Sequence, residues 1–149
     1  MAWSKMISNR PIEKSWTPVV TNTTTSLVGN STISKYSVED GIVSLRGYMN
    51  SSGSVLLNTG WEITAPVPRF GTTNIPVGEY YLYVEGGSAI SAWSSLGVVM
   101  MNSTSLFFLA NDRPYDSWPK APTSHIHNSS SLSGSTYSSI NFYAFYEAA

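Results

Sequence analysis

Two histidines separated by one residue form the sharpest pattern of chemistry-bearing side chains in this sequence. His125 and His127 flank Ile126, and alternate side chains of an extended segment point to the same side, so both imidazoles face one way. Three copies around a threefold axis would each offer two imidazoles to a single metal ion. The other interpretation is two polar residues in a Ser-rich surface loop. We predict the surface loop, and therefore no metal and no other cofactor.

The carboxylates do not form a pair of the kind that hydrolytic enzymes use. A glycosidase needs two carboxyl groups about 5–10 Å apart, whereas Glu79 and Glu85 lie on one predicted strand, about 20 Å apart. Glu62 would meet either of them only across strands. The sequence also lacks a Gly-x-Ser-x-Gly nucleophile elbow, a phosphate-binding Gly-x-x-x-x-Gly-Lys-Ser/Thr loop and any Cys. We therefore predict that the protein is not an enzyme.

Aromatic side chains are a second set of candidates. Five of them are candidates for exposed rings: Tyr81, Tyr83, Trp93, Tyr115 and Trp118. Such rings stack on sugars in glycan-binding proteins or anchor protein interfaces, where Tyr and Trp are enriched. The competing interpretation is packing inside the protein, which we favour for Trp16 and Trp61. For Trp93, Tyr115 and Trp118 both interpretations stay open, and we take these three as candidate partner contacts.

The first residues of the chain, 1–14, are predicted to form an extended arm. They carry three basic side chains and one acidic side chain, and Pro11 excludes a continuous helix. The residues of the arm that we predict to contact a partner are Trp3, Lys5, Ile7 and Arg10. Burying an apolar side chain is worth about 1.5–3 kcal/mol, more than an exposed ion pair at about 0–1 kcal/mol. The apolar residues should therefore dominate the affinity.

These residues must be positioned by β-strands. The dipeptide Asp40-Gly41 lies between two β-rich runs and favours a tight hairpin turn with positive φ. A third run, Trp61 to Val67, alternates apolar and polar residues with a period of two. We expect the three runs to form a three-stranded nucleus. Prolines and glycines from Pro66 to Gly78 predict a long connection after it.

Four further runs are predicted strands: residues 79–85, 96–101, 106–110 and 137–146. In the last run Ile140, Phe142, Ala144 and Tyr146 alternate with Asn141, Tyr143 and Phe145. The break at Asn102–Ser105 predicts a second hairpin. Residues 111–135 are predicted to form a loop, and loops of that length are usually functional or held by a partner. No window has a helical period. The predicted fold is all-β, a single jelly-roll-like antiparallel β-sandwich of about eight strands, which occupies residues 15–149 after the arm.

Composition narrows the possible partners. Only 11% of the 149 residues are charged, against about 25% in typical soluble domains, and the net charge is −1. No Lys/Arg cluster is present, which argues against nucleic acid and anionic membrane as partners. Without Cys, stability must come from packing or assembly. No secretory signal and no apolar run of membrane-spanning length is present, so we expect synthesis in the cytoplasm without secretion.

One pattern carries a family resemblance. It consists of V-x-L-x-G at Val43–Gly47, a Ser/Gly loop, and G-x-x-I-x-x-P at Gly60–Pro66. The stretch from Trp16 to Pro68 thereby resembles the small β-sandwich domains of tailed-bacteriophage virion proteins. That family often has Leu-Pro-x-Gly-Tyr-Arg-Pro after the third strand. This chain has Ala-Pro-Val-Pro-Arg-Phe at residues 65–70 instead.

The resemblance implies a virion structural protein. The first expectation is a capsid decoration (cement) protein that binds the major capsid protein on the outer surface of the shell. The alternative is a tail-fibre or baseplate module that recognises host glycan. Fibre tips normally end long shaft-forming chains, whereas here only a short arm precedes the sandwich, which favours decoration. A homotrimer would cover the edges of the sandwich.

Overall fold

The computed structural model describes residues 11–21, 27–52, 62–85, 93–109 and 137–149. These residues form β1 (Lys14–Ser15), β2 (Val20–Thr21), β3 (Val28–Gly29), β4 (Lys35–Glu39), β5 (Ile42–Ser52), β6 (Glu62–Thr64), β7 (Ile75–Glu85), β8 (Trp93–Met101), β9 (Ser105–Leu109) and β10 (Tyr137–Glu147). No helix occurs in these ranges, so the all-β prediction is confirmed. A search of the same ranges for a helix able to cross a membrane finds none.

The strands form one antiparallel sheet in which β10 lies between β5 and β7. The order is β1-β4-β5-β10-β7-β8-β9-β6-β2, and β3 also pairs with β5. Along β10, Ile140, Phe142, Ala144 and Tyr146 are buried. The residues between them, Asn141, Tyr143 and Phe145, are exposed. The alternation predicted for the last strand is therefore confirmed, and that strand pairs with a neighbour on each side.

The sheet is strongly curled around its core. Strands β9 and β10 are three positions apart, which is about 14 Å in a flat sheet, yet the ring centroids of Phe108 and Phe142 are 5.1 Å apart. Strand β1 pairs with β4 near one edge and β2 pairs with β6 near the other. The link formed by residues 16–19 joins β1 to β2 and therefore spans the gap between the two edges. Trp16 in this link is buried, as expected from the sequence.

Both predicted hairpins are confirmed. Asp40 and Gly41 have φ values of 49° and 77°, the positive angles that a tight turn between twisted strands requires, and they join β4 to β5. The second hairpin joins β8 to β9. There the Asn102 Oδ1 atom accepts hydrogen bonds from the backbone N–H groups of Thr104 at 2.8 Å and Ser105 at 2.7 Å. The side chain thus replaces backbone partners in the turn.

The predicted three-stranded nucleus is wrong. Strand β6 pairs with β2 and β9 instead of joining the β4–β5 hairpin. The reason is that β10 pairs with β5 along its whole length, from Ile42 to Ser52, and so occupies the edge where β6 was expected. The long connection predicted up to Gly78 is also too long. Pro76 and Gly78 lie within β7 at a register shift, where a proline without an N–H group is tolerated.

The predicted sandwich and the predicted N-terminal arm are not confirmed. Ten strands occur in the described ranges, not about eight, because three of them are pairs of residues too short to stand out in the sequence. Hydrogen bonding runs continuously from β1 to β2, so the layers of the expected sandwich are not separate sheets, and the jelly-roll arrangement stays a prediction. Of the predicted arm, residues 1–10 lie outside the described residues, and Lys14 already belongs to β1.

Candidate functional site

The outward side chains of the central strands form the surface that we call the outer face. It consists of Ile33 in the turn before β4, Arg46 and Tyr48 of β5, Asn141, Tyr143 and Phe145 of β10, Glu79 and Tyr81 of β7, and Leu96 of β8. The alternation of a strand puts these side chains opposite the core. The pairing of the strands then sets which of them are neighbours.

Tyr143 lies in the middle of the outer face, between two opposite charges. It is paired with Arg46 of β5 on one side and with Glu79 of β7 on the other, so the two charged residues are about 10 Å apart across β10. The Tyr143 hydroxyl donates a hydrogen bond to Glu79 Oε2 at 2.7 Å. This hydrogen bond, together with desolvation and the charge of Glu79, raises the pKa of Tyr143. The row of Arg46, Tyr143 and Glu79 across the three strands therefore has a positive charge at one end, an aromatic ring in the middle and a negative charge at the other end.

The Arg46 guanidinium also pairs with Glu13 at 3.2 Å. Both side chains are more than half exposed, and an exposed pair contributes only about 0–1 kcal/mol. A guanidinium has donors for more than one acceptor. Arg46 is therefore available for a second partner at the outer face.

Large apolar groups are exposed around this row. The exposed fractions are 66% for Leu96, 56% for Phe145, 45% for Tyr143 and 41% for Tyr81. The rings of Tyr143 and Phe145 meet edge to face, with centroids 6.1 Å apart. Aromatic and aliphatic side chains exposed together are typical of surfaces that bind another molecule. The outer face is the strongest candidate for binding among the described residues.

A shallow groove of about 260 Å³ crosses the outer face. Ile33 lies towards one end and Leu96 towards the other, and Arg46, Glu79, Tyr81 and Tyr143 also line it. Cavities that enclose small molecules have volumes of about 300–1,000 Å³. This groove is smaller and open, so it suits side chains of another surface or one exposed sugar ring better than an enclosed ligand.

Tyr48 of the outer face forms a hydrogen-bonded pair with a second tyrosine, Tyr137. The hydroxyl oxygens of Tyr48 and Tyr137 are 2.6 Å apart. Burial, the hydrogen bond to Tyr137 and the charge of Tyr137 together raise the pKa of Tyr48 to about 12. In the core, burial also raises the pKa of Tyr146, whose hydroxyl donates to the Val67 carbonyl at 2.8 Å.

We expect the free energy of unfolding to fall as the pH rises from about 10 to 12. The folded-state pKa of Tyr48 lies above the unfolded value, so the unfolded chain loses its proton first. The stabilisation is complete below the unfolded pKa and is lost as the pH passes the folded one. Urea unfolding at a series of pH values measures the slope. Tyr48→Phe and Tyr146→Phe should each make the slope shallower, and unchanged slopes in both variants would contradict the assignment.

Most of the predicted contact residues lie outside the described residues: Trp3, Lys5, Ile7, Arg10, Tyr115 and Trp118, and with them His125 and His127. Trp93 is the first residue of β8. Tyr81, taken from the sequence as a candidate for stacking, lies on the outer face, and Tyr83 is half-buried two residues further along β7.

The carboxylates considered for catalysis are not on neighbouring strands. Glu62 belongs to β6 and Glu79 and Glu85 to β7, with β8 and β9 between them. In the part of the chain that the structure describes, no three His, Cys, Asp or Glu side chains cluster as metal ligands do.

One surface was not predicted from the sequence, the one shared by Arg46, Tyr143, Phe145 and Leu96. Part of the signal was present, because β10 carries aromatic residues on both faces, and an antiparallel sheet commonly packs only one face on the core. The pairing with β5 and β7 was needed to place the charges beside them. Comparison of the chain with protein-family models, with curated proteins and with solved structures found no match.

Proposed function

We propose that this protein is a structural subunit of a virus particle, a decoration protein that binds the outer surface of the major capsid protein. The observation that carries the proposal is the exposed apolar surface around Tyr143, Phe145 and Leu96. Exposed apolar side chains that lie together mark interaction surfaces, whereas scattered single ones do not, so such a surface suits a subunit that is covered in an assembly. The resemblance of residues 16–68 to virion β-sandwich domains supports a virus particle as that assembly.

The virion role agrees with a protein that performs no catalysis. The sequence lacks the common nucleophile and phosphate-binding motifs, and Glu62 is not on a strand next to Glu79 or Glu85. We also propose that the curled sheet is a sandwich of the jelly-roll type, its two halves packed on each other. The contact of Phe108 in β9 with Phe142 in β10 supports this arrangement.

Attachment to the shell is proposed for the arm. The described residues that follow it, Pro11 to Ser15, are exposed, and β1 begins at Lys14 beside β4. The chain therefore enters the sheet through an exposed edge strand. Trp3 and Ile7 would be buried against the capsid protein, and Lys5 and Arg10 would pair with acidic groups there.

The test is co-sedimentation of the purified protein with empty shells of the virus that carries this gene. We expect saturable binding. Trp3→Ala with Ile7→Ala should weaken binding at least about tenfold, because it removes about 1.5–3 kcal/mol per buried side chain. Lys5→Ala with Arg10→Ala is the matched control. It should mainly reduce the dependence of binding on salt, since exposed charges are screened. A wild-type protein that does not bind shells would contradict the proposal.

The second candidate function is recognition of a host glycan by a tail-fibre or baseplate module. The observation in its favour is that Tyr81 and Tyr143 line the open groove together with the polar side chains of Arg46 and Glu79. Aromatic faces and charged hydrogen-bonding groups suit a sugar ring. Binding to host surface polysaccharide that Tyr81→Ala removes, in a protein that does not bind shells, would favour this function.

A further inference from the structure

We propose that the outer face binds a second copy of this chain, around a twofold axis parallel to β10. The proposal concerns the contact between copies and goes beyond the virion role, since it holds whether or not the pair attaches to a shell. It rests on the order of charged and apolar side chains across the central strands.

The charged row is self-complementary under such an axis. Rotation by half a turn about a line along β10 exchanges the β5 side of the sheet with the β7 side. Arg46 of one copy then lies opposite Glu79 of the other, and the reverse contact occurs on the far side of the axis. Both residues are paired with Tyr143 in the sheet, so they lie at equal distances from β10. A twofold contact uses the same surface on both copies, and here that surface supplies both charges.

The twofold axis also exchanges the apolar residues at the two ends of the groove. Strand β4 is two positions from β10 on one side, and β8 is two positions from it on the other. Leu96 is paired with Tyr81, and Tyr81 is paired with Asn141, so the three residues lie at the same level along their strands. The Tyr48 N–H donates to the hydroxyl of Ser34 at 3.0 Å, and Tyr48 is paired with Asn141.

Ile33 precedes Ser34 and so lies at the other end of that row. Both Ile33 and Leu96 are exposed. The axis preserves position along the strands, so it brings Ile33 of one copy opposite Leu96 of the other. Tyr143 and Phe145 lie at the axis and meet the same residues of the second copy.

This surface favours a pair over the homotrimer expected from the sequence. The trimer was expected to cover the edges of the sandwich, but in the described residues the sheet ends in the two-residue strands β1 and β2. Short edge strands are one way in which proteins protect an edge. The outer face instead exposes Leu96, Phe145 and Tyr143 side by side. Its central row contains one positive and one negative charge, so pairing two copies accumulates no net charge there.

The experiment measures the mass of the full-length protein by sedimentation over a wide range of micromolar concentrations. We expect the wild type to form a pair whose population rises with concentration. Arg46→Glu places two carboxylates opposite each other at both symmetry-related contacts, and Glu79→Arg does the same with two cations. Each variant should raise the dissociation constant of the pair at least about tenfold, which corresponds to about 1.4 kcal/mol.

An equimolar mixture of Arg46→Glu with Glu79→Arg should restore the pair. In the mixed pair, both acidic positions of the first chain face both basic positions of the second. A change within one chain cannot be repaired by adding another chain, so recovery on mixing reports the contact between copies. Both variants should retain the circular dichroism spectrum of a folded β-protein.

A second variant keeps the test decisive if a charge reversal disturbs the fold. Phe145→Ser removes an apolar side chain at the axis and should weaken the pair. Val19→Ser is its matched control, because Val19 is 57% exposed but lies in the link between β1 and β2, away from the outer face. Val19→Ser should leave the pair unchanged.

Three results would overturn the proposal: a wild type that stays monomeric over the whole range, a wild type with the mass of three copies, or a mixture of the charge variants that stays dissociated. Failure of the virion role is a separate result. A protein that pairs as described and does not bind shells would lose the proposed function and keep the pair.

Discussion

Replacing Phe142 by alanine is expected to lower the free energy of unfolding by about 3–5 kcal/mol. Only 3% of Phe142 is exposed, and its ring meets two others edge to face, Trp16 at 6.2 Å and Phe108 at 5.1 Å between centroids. These three rings come from the link between the sheet edges, from β9 and from β10. Removing the central ring therefore leaves a cavity where three parts of the curled sheet meet.

Urea unfolding followed by circular dichroism measures the loss. Phe142→Leu is the matched control, because it keeps most of the apolar volume and should cost clearly less. Phe145→Ala, in the same strand but on the outer face, should have little effect on a monomer. A loss for Phe142→Ala no greater than for Phe145→Ala would contradict the central position of this ring in the core.

Replacing Gly78 by alanine is expected to cost about 3 kcal/mol or more. A Cβ atom at this position would lie 1.8 Å from the backbone oxygen of Tyr143 and 2.8 Å from the Cα atom of Ala144. These are backbone atoms of β10, so no side-chain rotation relieves the contact. Strands β7 and β10 must separate locally, which also disturbs the pairing of Tyr143 with Glu79.

Gly41→Ala is the control that separates the two reasons why a position requires glycine, steric contact and a positive φ. No atom lies within 4 Å of a Cβ atom at Gly41, but its φ is +77°, so alanine there is strained by about 1–2 kcal/mol. Thermal or urea unfolding should rank Gly78→Ala as the more destabilising change. The opposite order would mean that β7 and β10 are not in the close contact described.

What the sequence determined by itself is the set of features that depend on neighbouring residues. The alternation from Ile140 to Tyr146, the positive-φ turn at Asp40-Gly41 and the turn at Asn102 were all predicted, because side-chain period and turn chemistry act over a few residues. The all-β class follows from the same local signals.

Tertiary structure decided which strands are neighbours, and with that the candidate site. Glu79 and Tyr143 are 64 residues apart in the chain, and nothing near either residue indicates that β10 inserts between β5 and β7. The predicted position of β6 was wrong for the same reason, since the pattern of apolar and polar residues in a strand does not specify which strand it pairs with. Gly47 illustrates the difference: it stood out in the sequence as part of V-x-L-x-G, but a Cβ atom there would lie 2.0 Å from the Phe142 ring. That requirement exists only because the last strand of the chain packs its ring over β5.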